Sequence, residues 1–285
     1  MPVKIMGLAT CYNRKEKTVK AIEGLIGKNP GSELSFVITD DNSSDGTAEA
    51  LEKYDCVTVV HGNGSSFYTG GMRLAIAKAT EIINGSGTEN YPDYIMLFND
   101  DVDFYDGAID ALVSKLKKKE DAPSKVIYVG PTCEADEKTF SYGGVVRRSN
   151  FRPKFRRLKA DDEAGLPVDT FNANCVLIPT GLFLRTGNMD SVYNHSLGDF
   201  DYGYMLRKKG GEIYVSDEYV GICPFNSDKG TWNDTSLSRR ERFKKKESIK
   251  GVPFGEFFHY LLKNYNILTA IIYSFSPYVR ILIGK

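Results

Sequence analysis

Between residues 3 and 120, short apolar runs alternate with longer segments whose apolar residues recur every three or four positions. "VKIMGLA" (3–9), "ELSFVIT" (33–39), "VTVV" (57–60) and "YIMLF" (94–98) have the length and makeup of buried strands. "KEKTVKAIEGLIGKNPG" sets Val19, Ile22, Leu25 and Ile26 on one helical face before Pro30 and Gly31 end it. "GGMRLAIAKATEII" (70–83) does the same with Ala75, Ile76, Ala79 and Ile82. Asp45 is placed to cap a short helix reaching Tyr54, and "DGAIDALVSKLKKKE" (106–120) ends in the basic residues a helix dipole favours there. This alternation predicts an α/β fold: a Rossmann-like, mostly parallel central sheet flanked by helices.

Ligands of such sheets gather at the carboxyl ends of the strands. Acidic side chains fall at those positions: Asp40 and Asp41 after the second strand, Asp100 and Asp101 after the fourth. "FNDDVDF" (98–104) crowds three carboxylates into seven positions, although like charges repel. Two readings fit the crowding. One is a solvated turn. The other is a hard cation, Mg2+ or Mn2+, held by one or two carboxylates while a bound diphosphate supplies the remaining oxygens. GxxxxGK[ST], GxGxxG after a strand, HExxH and GxSxG are missing, and there are only three histidines, so chemistry built on carboxylates is expected.

Lys plus Arg and Asp plus Glu number 37 each in the 285 residues, so no net field favours nucleic acid, and no nucleic-acid partner is expected. Basic runs nevertheless stand at 147–159 ("RRSNFRPKFRRLK") and 239–246 ("RRERFKKK"). They read as solvated faces or as attractors of phosphates and anionic headgroups. Five scattered cysteines without a CxxC pair fit a reducing compartment. The N-terminal "MPVKIMGLATCYNR" is not patterned as a signal peptide, so a cytoplasmic location is expected.

In the second half, "VIYVG" (126–130) and "ANCVLIPTGLFL" (173–184) read as core strands, and "GDFDYGYMLRKKGGEIYVS" (198–216) as a helix, a Gly–Gly stop and a strand. Residues 131–172 read as loop-rich. The aromatic and aliphatic "FGEFFHYLLKNYNILTAIIYSFSPYVRILIGK" is too interrupted for a membrane span, its longest uncharged run being Asn264 to Val279. It is expected to pack on the core or a second subunit, which leaves a homo-oligomer open, or to lie in a membrane interface.

"ATCYNR" (9–14), "ITDDNSSDGT" (38–47), "GGMRLAI" (70–76), "FNDDV" (98–102) and "GDFDYGYMLRKKGG" (198–211) stand in the order and rough spacing of the family 2 inverting glycosyltransferases of GT-A fold. The chain resembles the bacterial branch that builds surface polysaccharides, with rhamnosyl- and galactofuranosyl-type members. The resemblance covers about residues 3–225 and implies a GT-A domain there, with a nucleotide-binding half (1–120) and an acceptor-binding half (121–225). Residues 226–285 would form a lid loop and an amphipathic helical appendage. It implies that Thr10, Tyr12 and Asp41 line a nucleotide base, with Arg73 and Asp100 nearby. Asp101 would hold Mn2+ or Mg2+, Asp199 would be the catalytic base, and Asp201 would support it or meet the acceptor. The implied donor is a UDP- or dTDP-sugar. The implied acceptor is a glycan, carried on a polyprenyl diphosphate at the inner face of the cell membrane, where the protein would be peripheral.

Structural alternatives stand beside these roles: an Asx-turn for Asp41, a surface position for Arg73, a helix N-cap for Asp199 and a first-turn dipole partner for Asp201. Asn99 replaces a common first aspartate. Cys223, in "GICPFNSDKGTWN", stands near where relatives carry a histidine, and Asp228 is a second substitute. Trp232, in that stretch, is read as a lid or sugar-stacking residue. A sugar-phosphate nucleotidyltransferase and a non-catalytic nucleotide-sugar-binding protein are the rival readings.

Overall fold

The computed structural model describes residues 2–119 and 124–285. The expected end of the fourth helix, at Glu120, falls outside them. In chain order the first elements are β1 (Val3–Cys11), α1 (Lys15–Lys28), β2 (Ser32–Asp40), α2 (Thr47–Leu51), β3 (Val57–His61), α3 (Phe67–Gly85), β4 (Tyr94–Phe98), β5 (Asp103–Phe104) and α4 (Ala108–Lys118). There follow β6 (Val126–Val129), β7 (Thr132–Cys133), β8 (Gly144–Arg147), β9 (Phe155–Leu158), β10 (Leu166–Pro167), β11 (Thr170–Phe171), β12 (Cys175–Pro179), α5 (Thr180–Thr186), α6 (Gly198–Lys208), β13 (Glu212–Val215) and β14 (Gly221–Ile222). Helices α7 (Arg239–Lys246), α8 (Phe254–Asn264), α9 (Ile267–Ser274) and α10 (Ser276–Leu282) come last.

Eight strands form the central sheet in the order β10-β13-β6-β12-β4-β1-β2-β3. The half carrying β4, β1, β2 and β3 is parallel, as the alternation predicts. The other half is mixed, because β12 runs antiparallel to both β4 and β6. Successive residues of β1 feed opposite faces. Met6 and Leu8 meet Met72, Ile76 and Ala79 of α3, while Ile5 and Ala9 share a second core with Ile22 and Leu25 of α1 and Leu112 of α4. Burying each of the Met, Leu and Ile side chains among these stabilises the fold by about 1.5–3 kcal/mol before entropy is charged against it.

One expected strand is half helix. The run 173–184 splits at Pro179 into β12 and α5, and Leu182 and Phe183 are buried from the helix. A continuous apolar run carries neither period clearly, so a buried helix turn in it reads as strand. The loop-rich region 131–172 supplies one small sheet, β11-β8-β9, and one strand of a second, β5-β14-β7, whose other strands lie before and after it.

The parallel register aligns Thr10 with Thr39 and Cys11 with Asp40, and Leu8 with Leu97 of β4. The β1, β2 and β4 carboxyl ends therefore open at one edge. Two glycines bring helices onto that edge. A Cβ on Gly71 would lie 2.1 Å from Thr10 Oγ1, and one on Gly198 would lie 2.3 Å from Thr69 Cγ2. Only glycine lets α3 press against the end of β1, and α6 against the start of α3.

The C-terminal helices pack on α6 through Tyr193, Tyr204, Tyr260, Leu261 and Ala270. Lys263 Nζ donates to Asp201 at 2.7 Å and to Asp190 at 2.8 Å, and Asn264 Nδ2 donates to Asp201 at 2.7 Å. This clamp joins α8 to α6.

Candidate active site

A cleft of about 790 Å3 opens at the strand ends. Its walls bring together Thr10, Tyr12, Asp41, Asp100, Asp101 and Asp199, which the sequence scatters over 190 positions. Arg73, Asp201 and Trp232 are not among its lining residues.

Asp100 and Asp101 follow β4 directly. Asp100 is buried, and Asp101 is partly open to the cleft. One nitrogen of Arg14 bridges them, donating to Asp100 Oδ1 at 3.1 Å and to Asp101 Oδ2 at 3.0 Å. Thr18 Oγ1 adds a bond to Asp100 at 3.2 Å. Burial still prevails over the guanidinium and pushes the Asp100 carboxyl up to about 6. The Cys223 thiol donates weakly to Asp101 at 3.7 Å and receives Asn174 Nδ2 at 3.3 Å. Burial, aided by Asp101, pushes that thiol up to about 12, so it is protonated at neutral pH. Of the two residues considered as substitutes for the histidine, Cys223 is the one beside Asp101. Asp228 instead accepts from Asn233 in an exposed loop.

The Asp41 carboxylate accepts from the backbone N–H groups of Gly64, Ser66 and Phe67 at 2.9, 2.9 and 3.2 Å. It therefore folds the loop entering α3, and places negative charge at the positive end of that helix. Tyr12, 55% exposed, offers a bare ring face beside it. Phe67 and Leu197 line the cleft with φ of +52° and +68°. Left-handed backbone costs a non-glycine residue on the order of 1–3 kcal/mol, strain that concentrates at functional sites.

Asp199, in the first turn of α6, lines the same cleft and remains partly accessible. Its Oδ1 accepts from its neighbour Phe200 N at 2.8 Å. Burial pushes its carboxyl up to about 6, so near neutral pH it is ionised yet basic. The Tyr68 hydroxyl, also buried, has no hydrogen-bond partner among the described residues. Asn99 Oδ1 beside the acidic pair is likewise unpartnered among them. Buried polar atoms are normally satisfied, and of the unpartnered ones among the described residues these two belong to residues that line the cleft. His195 accepts from Tyr68 N at 3.4 Å through Nδ1, and burial lowers its pKa to about 4. It is a neutral imidazole here.

Arg157, Tyr142, Phe155 and Lys250 complete the cleft. Arg157 Nε donates to Asn172 at 2.8 Å while its guanidinium lies over Tyr142 and Phe225. Arg14, Tyr68, Arg157, His195 and Lys250 were not singled out from the sequence. Arg14 lay inside a quoted motif. Arg157 lay inside the basic run 147–159, while Tyr68, His195 and Lys250 carry no local signal.

Each outlying residue has a structural task. Arg73 donates to the carbonyls of Tyr193 and Asp190, at 2.5 and 3.3 Å. Asp201, 1% exposed at its side chain, is the receiving end of the α8 clamp. The Trp232 carbonyl accepts from Arg242 Nε at 2.8 Å, and its ring lies under Arg280, against the C-terminal helices rather than the cleft.

Among the described residues, no three His, Cys, Asp or Glu side chains converge on one point. A cation here would have Asp101, Asp100 and the unpartnered Asn99 oxygen as hard ligands. That set fits a metal whose remaining ligands come from phosphates, and not one held by protein alone.

The architecture, an α/β sheet with its acidic cleft at the strand ends, is that of a GT-A glycosyltransferase. The whole chain superimposes on 74% of a mannosyltransferase from Pyrobaculum calidifontis, solved with GDP-Man and Mn2+, at a TM-score of 0.57 and 12% identity. Residues 8–173 match Glycosyl transferase family 2, and the chain belongs to that family. It is also similar to an N-acetylglucosaminyl-diphospho-decaprenol L-rhamnosyltransferase of Mycobacterium tuberculosis, 23% identical over 202 residues. That match spans 66% of this chain and 66% of the relative.

Proposed function

We propose that the chain is a metal-dependent inverting glycosyltransferase. It moves a sugar from a UDP- or dTDP-linked donor to a polyprenyl-diphosphate-linked glycan in bacterial cell-surface polysaccharide synthesis. One observation carries this reading: a partly accessible carboxylate, Asp199, shares one cleft with an acidic pair, Asp100 and Asp101. The mycobacterial relative, an N-acetylglucosaminyl-diphospho-decaprenol L-rhamnosyltransferase, supports the acceptor class.

Tyr12 would stack on the base, with Thr10 and the Asp41 loop at its edge. Asp101, with Asp100 and Asn99, would hold Mn2+ or Mg2+, which when bound neutralises charge on a leaving diphosphate. Arg14 keeps the two carboxylates together despite their repulsion. Asp199 would take the proton of the acceptor hydroxyl as its oxygen attacks the anomeric carbon from the face opposite the leaving group. Tyr68 would donate its free hydroxyl to an oxygen of the bound donor. Arg157 and Lys250 suit the phosphates of an anionic acceptor.

The test is transfer from a panel of UDP- and dTDP-sugars with and without Mn2+ or Mg2+, the product anomer being read by NMR. Inverted product, lost on chelation and in Asp101→Ala, is expected. Metal-dependent turnover that survives Asp101→Ala would remove the assigned metal site, and a retained anomer would remove the mechanism.

A further inference from the structure

Helix α9 is turned inside out. Its small and polar residues Thr269, Ala270 and Ser274 are buried against the protein. Its large ones, Ile267, Leu268, Ile271 and Ile272, face outward and are 50–61% exposed. Phe275 continues the stripe at 56%. On α10 the pattern repeats: Pro277 and Ile281 are buried, while Val279, Leu282 and Ile283 are 53–59% exposed. Scattered exposed aliphatics are ordinary. A continuous stripe over two successive helices marks a surface built for a non-aqueous neighbour. No described helix is long and apolar enough to cross a membrane.

The charge beside the stripe selects the neighbour. Helix α7 packs on α10, with Phe243 stacked on Tyr278 at 6.0 Å. That contact leaves Arg239, Arg240 and Lys244 exposed, and Arg280 is exposed on α10 itself. The acidic residues of this region are engaged: Glu241 closes a capping box with Ser238, and Glu247 accepts from the Tyr278 hydroxyl. A second copy meeting the stripe around a twofold axis would set one cationic rim against another. An anionic bilayer offers hydrocarbon to the stripe and headgroup charge to the rim.

We infer that α9 and α10 form a docking face for the surface of an anionic lipid bilayer, lying in the interface with the α7 cations at headgroup depth. The turn Ile249–Gly251, directly after α7, contributes Lys250 to the cleft. The docked face therefore adjoins the catalytic cleft through one short connection. The inference rests on the exposed stripe and its rim, and does not require the transferase reading.

Vesicle flotation of the full chain tests it, with phosphatidylcholine alone and with phosphatidylcholine plus phosphatidylglycerol. Wild type should float with the anionic vesicles and less so at high salt. Ile271→Glu with Ile272→Glu should lower partitioning by about tenfold or more, since charge cannot enter the acyl region. Arg240→Glu with Lys244→Glu should abolish the preference for anionic vesicles. Both variants change exposed side chains and should keep the wild-type Tm and wild-type turnover on a water-soluble acceptor. That turnover separates failure of this inference from failure of the transferase reading. Wild type that stays off vesicles, or an unimpaired Ile271→Glu/Ile272→Glu protein, overturns the inference. So does a dimer in sedimentation velocity that the same variant dissolves while flotation is absent, which would give the face to a second copy.

Discussion

The Arg14 guanidinium donates to Asp101 Oδ2 at 3.0 Å through the same nitrogen that reaches Asp100. A single monocation thus holds together two carboxylates that would otherwise repel. Arg14→Gln keeps a donor but removes the charge, and should lower kcat/KM by about a hundredfold. Arg14 is 45% exposed at its side chain, so Tm should hardly move. Steady-state kinetics beside a melting curve check both. Unchanged kcat/KM would mean the acidic pair is held in place by other means.

Asp199 must be ionised to accept a proton, and burial places its pKa at about 6. In the reading proposed above, kcat/KM should fall about tenfold per pH unit below that value, and flatten above it. Asp199→Asn should reduce transfer by about 10^2–10^4-fold and make this limb shallower, leaving the part that Asp100, also raised to about 6, contributes, with nucleotide affinity retained. The same shift has a stability sign. A carboxyl raised from 3.8 in the unfolded chain contributes stability that is complete below that value and is lost as pH rises through about 6. Urea titrations across that window measure it, and Asp199→Asn should reduce the dependence, the remainder belonging to Asp100, which burial raises likewise to about 6.

Tyr68→Phe removes a hydroxyl that is buried without a partner among the described residues. Its loss leaves the fold as stable as before, or slightly more so. If that hydroxyl meets the donor, kcat/KM should nevertheless fall, by about tenfold for one lost hydrogen bond. Kinetics unchanged within twofold would make Tyr68 a wall of the cleft and nothing more.

Asp201→Ala should cost about 2–3 kcal/mol in urea denaturation, because it leaves the Asn264 amide buried without its acceptor and Lys263 with Asp190 alone. At temperatures where the variant stays folded, donor binding should match wild type. A selective loss of acceptor affinity in a fully stable Asp201→Ala protein would instead return Asp201 to the site.

The parallel half of the fold was legible because strand and helix periods differ and each segment there is long enough to show one. The antiparallel insertion of β12 was not legible, since periodicity reveals faces and not direction. For the cleft, strand-end placement pointed to Asp41, Asp100 and Asp101, and the motif resemblance added Thr10, Tyr12 and Asp199; all six line one cleft. The resemblance failed within single helices. Asp199 and Asp201 are two residues apart, about 200° around α6, so one faces the cleft and the other the C-terminal helices. Arg73, two residues beyond Gly71, is carried away from Thr10 in the same manner. Trp232 was read from an aromatic in a polar loop, a pattern that does not say which surface the loop covers.

The clamp of Lys263 and Asn264 on Asp201 also governs biogenesis. Until residue 264 clears the ribosome, the Asp201 carboxylate has no counterion and the tyrosines around it face water. A nascent chain stopped short of that point would be a client for chaperones and proteases, not a slimmed-down catalyst.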